Sequence, residues 1–142
     1  MIQKTPIRIM AGVLMVMSSN AITQGITGNA MNCPGSPNCV SSQAHDPHHF
    51  IDPFIFHDQP ATAMQRLKEA LLTEKRVTIT SEQPDYLHAE VRSLVFRFVD
   101  DIEFKLSPDQ GLIQIRSSAR VGYSDFGVNR RRIERIRLLF QK

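Results

Sequence analysis

The sequence lacks the short motifs that mark the common catalytic sites. It contains no G-x-S-x-G nucleophile elbow, no P-loop and no H-E-x-x-H metal motif. Its nearest approach to paired carboxylates is Asp100-Asp101, but adjacent residues of a strand point to opposite faces of a sheet, so these two cannot easily share a proton. We therefore predict no catalytic set and no cofactor, and we favour a non-enzymatic protein over an enzyme.

The sequence also lacks an apolar run long enough to cross a membrane. Its longest run, residues 9–17, has nine residues, whereas a spanning helix needs about 20. The run follows two basic residues and precedes small polar ones, which is the layout of a secretory signal peptide. We expect a signal peptide over residues 1–21, with cleavage after Ala21 or, alternatively, after Ala30. The protein is then exported to the periplasm or cell envelope.

No large charge of either sign remains after cleavage. The chain has 17 basic and 14 acidic residues, and Lys4 and Arg8 leave with the signal peptide. The mature chain is therefore nearly neutral, which does not indicate a nucleic-acid partner. The length of 142 residues suits one domain with its own core, and we expect a monomer.

Apolar spacing divides the remainder of the chain in two. Residues 22–59 are rich in Pro and His and show no sustained period, which predicts an irregular arm belonging to the domain. Residues 60–142 are periodic and form the α+β core. A three- and four-residue spacing predicts a helix over residues 60–74, with Pro60 in its first turn. A second helix is predicted after Gly122, capped by Ser124 or Asp125.

Between the helices, apolar residues alternate with polar ones. This alternation predicts four strands, near residues 77–79, 87–91, 96–106 and 113–115. Short turns favour antiparallel pairing, so we expect a two-layer α+β sandwich of order α-β-β-β-β-α, with both helices on one face of a four-stranded sheet. Asp100 falls at an inward position of the third strand, and we expect a bulge or bend at Asp100-Asp101.

Two stretches are more specific than any period. The first is CPGSPNCVSS, residues 33–42, with His49, Ile51 and Pro53 shortly after it. The second runs from FRFVDDIEF through IRSSARVGYSDFGVNRRR, within residues 96–132. Together they resemble the domain-of-unknown-function 1499 family over about residues 33–139. The resemblance implies a small domain of bacterial or plastid type, often exported or membrane-associated, with no established activity, so it assigns no site residues.

The chain has only two cysteines, Cys33 and Cys39. In an exported protein they can close a seven-residue ring, and the chain-entropy argument gives such a disulfide about 2 kcal/mol of stabilisation. Free thiols and a metal or redox site are the alternatives. Redox pairs usually have two residues between the cysteines, and two thiolates alone do not complete a zinc site. We therefore favour a structural disulfide.

Several histidines follow the cysteines. His45, His49 and His57 are weak candidates for metal ligands, because neutral imidazoles bind transition metals. Their spacing matches no defined site, and Pro47 argues against a helix that would bring His45 and His49 together. We interpret them as solvated loop residues and expect no metal.

The segment between the last strand and the last helix is the best candidate for a binding site. It contains more polar residues than a turn needs, and the positive end of the helix would lie beside its arginines, which suits an anion. The alternative is an internal network between these arginines and carboxylates of the sheet. The candidate ligand-binding residues are Arg116, Ser118, Arg120, Tyr123, Ser124, Asp125, Asn129, Arg130 and Arg131.

These observations favour a non-enzymatic domain of the cell envelope that binds a protein partner or a small anionic ligand through residues 116–132. One alternative is a hydrolase or transferase that uses polar residues of the same loop, and another is a purely structural envelope protein. The last helix is basic on its solvent side, which also suggests a weak contact with an anionic membrane surface. A merely solvated face is the alternative there.

Overall fold

Six strands and two helices make up the part of the chain that the computed structural model describes, residues 31–142. The expected signal peptide and both cleavage sites lie outside the described residues. The α+β class and the two helices are confirmed, whereas the number of strands is six rather than four. In chain order the elements are β1 (Cys39–Ser41), β2 (Phe54–Ile55), α1 (Pro60–Leu72), β3 (Val77–Gln83), β4 (Tyr86–Arg92), β5 (Val99–Ser107), β6 (Leu112–Ala119) and α2 (Val128–Phe140).

The two additional strands come from the arm that was predicted to be irregular. The sheet has the order β1-β6-β5-β4-β3, and β2 also pairs with β6, all antiparallel. The strands β1 and β2 have three and two residues, which is too short for alternation to be visible in the sequence. They form because the outer edge of β6 offers unpaired backbone groups that need hydrogen-bond partners.

The core lies between the two helices and one face of the sheet. Helix α1 begins at Pro60, whose missing N–H is not needed in a first turn, and both helices bury apolar residues against β4, β5 and β6. The arm contributes Phe54, whose ring lies 5.1 Å from that of Phe140 in α2 and 5.9 Å from that of Phe104 in β5. The arm is therefore part of the core.

The bulge expected at Asp100-Asp101 is wrong. Both residues keep regular pairing with β4 and β6, and Asp100 faces the helices, where it forms a 2.7 Å ion pair with Arg132 of α2. A buried carboxylate needs a partner rather than a break in the strand. The sheet has an irregularity elsewhere, between Ile79 and Ser81 of β3, where Thr80 is the extra residue.

The disulfide is confirmed as a bond between Cys33 and Cys39, whose Sγ atoms are 2.07 Å apart. The ring that it closes contains the buried Asn38. The backbone oxygen of Asn38 accepts hydrogen bonds from Ala119 N, at 3.0 Å, and from the side chain of Asn129, at 3.2 Å. The ring is thereby attached to both β6 and α2.

Candidate functional site: the loop end of the sheet

Three connections meet at one end of the sheet, which we call the loop end: residues 73–76, 93–98 and 120–127. The register places them together, because Val77 pairs with Val91, Arg92 pairs with Val99 and Asp100 pairs with Ala119. The segment predicted as a binding site is one of the three.

The two arginines at the centre of the predicted anion site are engaged with carboxylates. Arg116 forms a 2.7 Å ion pair with Glu103. Arg120 donates to both oxygens of Asp101 at 2.7 Å and to Glu90 at 2.5 Å. Its guanidinium holds the pKa of both carboxyl groups below the ordinary values. This is the internal network that the sequence offered as the alternative.

The positive end of α2 is also occupied. The helix begins at Val128, after Gly127, and is therefore shorter at its start than the caps predicted at Ser124 or Asp125 would make it. Asp125 instead accepts hydrogen bonds from Gly127 N at 2.9 Å and Asn129 N at 2.8 Å. Its carboxylate takes the place that the sequence suggested for an anionic ligand.

The other candidates divide between internal bonds and exposure. Asn129 is fully buried and hydrogen-bonded to Ser117 and Arg132. Arg130, which is half-buried, donates to a backbone oxygen of the arm, and the exposed Arg131 donates to Phe126 O. Tyr123 is largely exposed. Ser118 and Ser124 make only weak local hydrogen bonds, at 3.4 and 3.3 Å.

The clefts of the described surface do not gather these candidates. Four shallow clefts of about 350 to 620 Å³ lie on residues 31–142. Arg116, Arg120, Tyr123 and Asp125 line none of them. None of these four clefts is therefore a shared site for the predicted residues.

A polar series on the open face of the sheet was not foreseen. The Thr80 hydroxyl lies 2.6 Å from His88 Nδ1, and His88 Nε2 lies 2.8 Å from Asp101. A hydrolase uses the same three groups, but both oxygens of Asp101 are already bonded to Arg120, and the four clefts include neither Thr80 nor His88. The series links β3, β4 and β5, and it depends on the bulge at Thr80, which the sequence does not reveal.

Tyr86 on the same face gives a prediction for alkaline pH. Two effects raise the pKa of the Tyr86 phenol. Partial burial is the larger, and the 2.8 Å hydrogen bond to Glu103 is the next. The chain has two tyrosines, so Tyr86 is the only one in a Tyr123→Phe variant. We expect the tyrosinate absorbance of this variant to appear well above the ordinary value of about 10. A raised pKa stabilises the fold below pH 10, and this contribution is lost as the pH rises through the folded pKa. Titration of the folded variant near pH 10 would contradict the expectation.

Exposed apolar side chains are what distinguishes the loop end. Seven of the twelve large apolar residues exposed on residues 31–142 lie in these connections, and an eighth, Val128, begins α2 directly after the last of them; their exposures run from 40% to 87%. Phe96 and Phe98 were predicted to lie in a strand, but they belong to the loop before β5 and stack on each other at 5.5 Å. Large exposed apolar patches are typical of protein or membrane contact sites. The eight residues are Leu94, Val95, Phe96, Phe98, Val121, Tyr123, Phe126 and Val128.

The backbone that carries these side chains is strained. Arg76, Arg97 and Phe126 have positive φ values of 61°, 54° and 53°, and they are the only such non-glycine residues in the described chain. Each belongs to one of the three connections of the loop end. Left-handed backbone costs a bulky residue about 1–2 kcal/mol, and such strain collects at functional sites.

Hydrogen bonds hold the loops in place despite this strain. In the loop before β5, Ser93 N donates to Phe98 O at 2.9 Å and Phe98 N donates to the Ser93 hydroxyl at 2.8 Å. In the loop before α2, the side chain of Asn38 donates to Gly122 O at 2.6 Å. The apolar side chains are therefore presented by defined loops.

Basic residues lie in the same connections as the apolar residues. A cleft of about 450 Å³, lined in part by Leu94 and Val128, lies between the end of α1, β4 and the start of α2. Its two carboxylates, Glu74 and Asp100, are paired with arginines of α2. The basic residues of the loop end that form no ion pair within the described chain are Lys75, Arg76 and Arg97; Arg130 and Arg131, near the start of α2, form none either.

The three histidine candidates of the arm do not share one site: His45 and His49 line one cleft and His57 lines another. His45 and His57 are exposed, as expected, whereas His49 is buried and bonds the backbone oxygen of Cys39 through Nδ1 at 2.9 Å. Within residues 31–142, no group of three or more His, Cys, Asp or Glu residues is arranged to hold a metal ion. Nor does that part of the chain contain a helix with the length and apolarity to cross a membrane.

The fold and the loop end define a small, disulfide-containing α+β domain with an exposed apolar end. Residues 29–140 match the model of a family described as Protein of unknown function (DUF1499). The chain belongs to this family, as the sequence motifs indicated. No curated protein matches the chain.

Proposed function

We propose that this protein is a non-catalytic binding domain of the cell envelope, and that it contacts its partner through the loop end. The observation that carries the proposal is the cluster of eight exposed apolar side chains on braced loops. Burial of such surface is the main driving force of protein association. The predicted segment 116–132 contributes half of the cluster, and the loop at residues 93–98 contributes the other half.

The geometry favours an apolar contact over a small anion at the same segment. Arg116 and Arg120 are neutralised by carboxylates, and Asp125 occupies the helix end. An anionic ligand would have to displace these bonds. Phe126, in contrast, is 87% exposed, so its side chain could contact a partner without first breaking contacts within the described chain.

Export is part of the proposal and is supported by the cysteines. A disulfide such as Cys33–Cys39 forms and persists in oxidising compartments outside the cytosol. The ring also supports the proposed contact surface, because Asn38 lies within it and holds the loop at Gly122.

Phe126 provides the sharpest test, because the residue is 87% exposed and has a φ of 53°. Glycine accepts this backbone without strain, so Phe126→Gly is expected to raise the free energy of unfolding by about 0.5–1 kcal/mol. Phe126→Ala keeps the strain and is expected to leave stability within about 0.5 kcal/mol of the wild type. Chemical denaturation measures both. If these results are found, stability alone would disfavour phenylalanine at position 126. Its presence is then best explained by a contact between Phe126 and another molecule.

A surface probe completes the test. The fluorescence of 8-anilinonaphthalene-1-sulfonate with the native protein is expected to fall in Phe126→Gly and in Phe96→Ser. Ile55→Ser is the matched control, because Ile55 is 59% exposed and pairs with Leu112 at the opposite end of β6. Loss of more than about 1 kcal/mol of stability in Phe126→Ala would make the side chain structural. That result would favour a purely structural envelope protein.

A further inference from the structure

We infer that the partner of the loop end is the surface of an anionic lipid bilayer, into which the apolar side chains of the two long loops insert. This inference rests on the proposed function and names the chemistry of the partner. It concerns the loops before β5 and α2, not the solvent face of the last helix.

The first argument is the chemistry and shape of the loop end. Most of its apolar residues lie on two exposed loops and not in a groove, because the four clefts include only Leu94 and Val128 of the eight. Projecting Phe and Leu side chains, with a Tyr beside them, suit the boundary between lipid headgroups and acyl chains, where apolar groups are buried to a depth of about 5–10 Å. A bilayer adapts to such projections, whereas a protein partner would need matching cavities.

The second argument is charge complementarity. Lys75, Arg76 and Arg97 form no ion pair within residues 31–142 and lie in the same three connections as the apolar residues. Four carboxylates at this end are each matched by an arginine: Glu74 by Arg135, Glu90 by Arg92, Asp101 by Arg120 and Asp100 by Arg132. Asp125 is bonded to N–H groups and keeps its charge. Three unpaired cations against this one carboxylate leave a net positive charge, which attracts anionic headgroups.

The last helix itself offers less free charge than its sequence suggests. Arg132 and Arg135 are paired with Asp100 and Glu74. Arg137 is paired with Glu134 and donates to backbone oxygens of the arm. The loop end is thus the better candidate for a membrane contact than the solvent face of this helix.

The test measures partitioning of the full chain into vesicles by sedimentation. The vesicles contain phosphatidylcholine and phosphatidylglycerol in equal parts, and vesicles of pure phosphatidylcholine serve as the neutral arm. Replacing Phe96 and Phe98 together by Ser is expected to lower the partition coefficient by about a hundredfold on the anionic vesicles. Lys75→Gln combined with Arg97→Gln is expected to lower it by about tenfold at low salt, and by less at high salt.

The matched control is Ile55→Ser combined with Leu138→Ser. Both residues are exposed apolar side chains, at 59% and 64%, and both lie far from the loop end, so this variant is expected to partition like the wild type. A fall equal to that of the Phe96/Phe98 variant would overturn the inference. Equal partitioning of the wild type and the Phe96/Phe98 variant would also overturn it, because the apolar run at residues 9–17 would then drive binding.

The remaining outcomes separate this inference from the proposed function. If the wild type binds neither kind of vesicle while dye fluorescence falls in the variants as expected, the bilayer inference is wrong and the proposed binding surface stands. Equal affinity of the wild type for neutral and anionic vesicles would overturn the electrostatic part of the inference, namely the attraction of the free cations to anionic headgroups. A dimer in analytical ultracentrifugation that Phe96→Ser dissociates would make a second copy of the chain the partner, and would overturn the bilayer inference.

Discussion

Replacing Asp100 with alanine is expected to lower the free energy of unfolding by about 3–5 kcal/mol. Asp100 forms a 2.7 Å ion pair with Arg132, whose side chain is only 7% exposed. Removing the carboxylate leaves a buried guanidinium whose only remaining side-chain partner is the amide oxygen of Asn129. The desolvation cost of that charge is then largely uncompensated. Urea denaturation of the variant and the wild type measures the difference.

The double variant Asp100→Val/Arg132→Met is the control for this prediction. It removes both charges and keeps apolar groups in their place, which is often close to neutral for stability. We expect it to be more stable than Asp100→Ala, although Asn129 loses one of its hydrogen bonds. If Asp100→Ala costs less than about 1 kcal/mol, water reaches the guanidinium and the pair is not a buried one.

Replacing Phe54 with alanine is expected to cost a similar 3–5 kcal/mol. The side chain is 1% exposed and packs between Phe104 and Phe140, and the guanidinium of Arg137 lies over its ring at 4.6 Å. Truncation therefore opens a cavity at the point where the arm, the sheet and α2 meet. Thermal or chemical denaturation gives the size of the effect.

Phe50 supplies a control from the same arm. It is 39% exposed, so Phe50→Ala is expected to cost less than about 1 kcal/mol. A loss in Phe54→Ala as small as that in Phe50→Ala would mean that the arm is not part of the core. The contrast between the two variants tests the packing of the arm and not merely the loss of an aromatic ring.

The main elements of the fold could be predicted because each is long enough to show several repeats of its apolar period. The helix predicted over residues 60–74 is found at Pro60–Leu72, and the four strands predicted between the helices are found as β3 to β6. The strands β1 and β2 could not be predicted, since two or three residues contain no period. The partner of Asp100 could not be predicted either, because Arg132 is 32 residues away and only the packing of α2 on the sheet brings it near.

The sequence singled out the polar residues around Arg120 as an anion site, and the structure shows that their charges are satisfied internally. The contact surface proposed here uses apolar residues of the same loop, and its binding role stays a proposal. The apolar residues were missed because Phe96 and Phe98 alternate as strand residues do. A signal was nevertheless present: antiparallel strands predicted near residues 87–91 and 96–106 require a turn at residues 92–95, which include the apolar Leu94 and Val95.

The short strands of the arm also affect how the protein behaves at high concentration. An exposed sheet edge is a template for pairing with the edge of another molecule, which leads to aggregation. The strands β1 and β2 cover parts of the outer edge of β6, while the opposite edge, β3, is interrupted by the bulge at Thr80. Neither edge of the sheet therefore presents a long regular strand for pairing with another molecule. The apolar loop end is thus not accompanied by a second surface that favours aggregation.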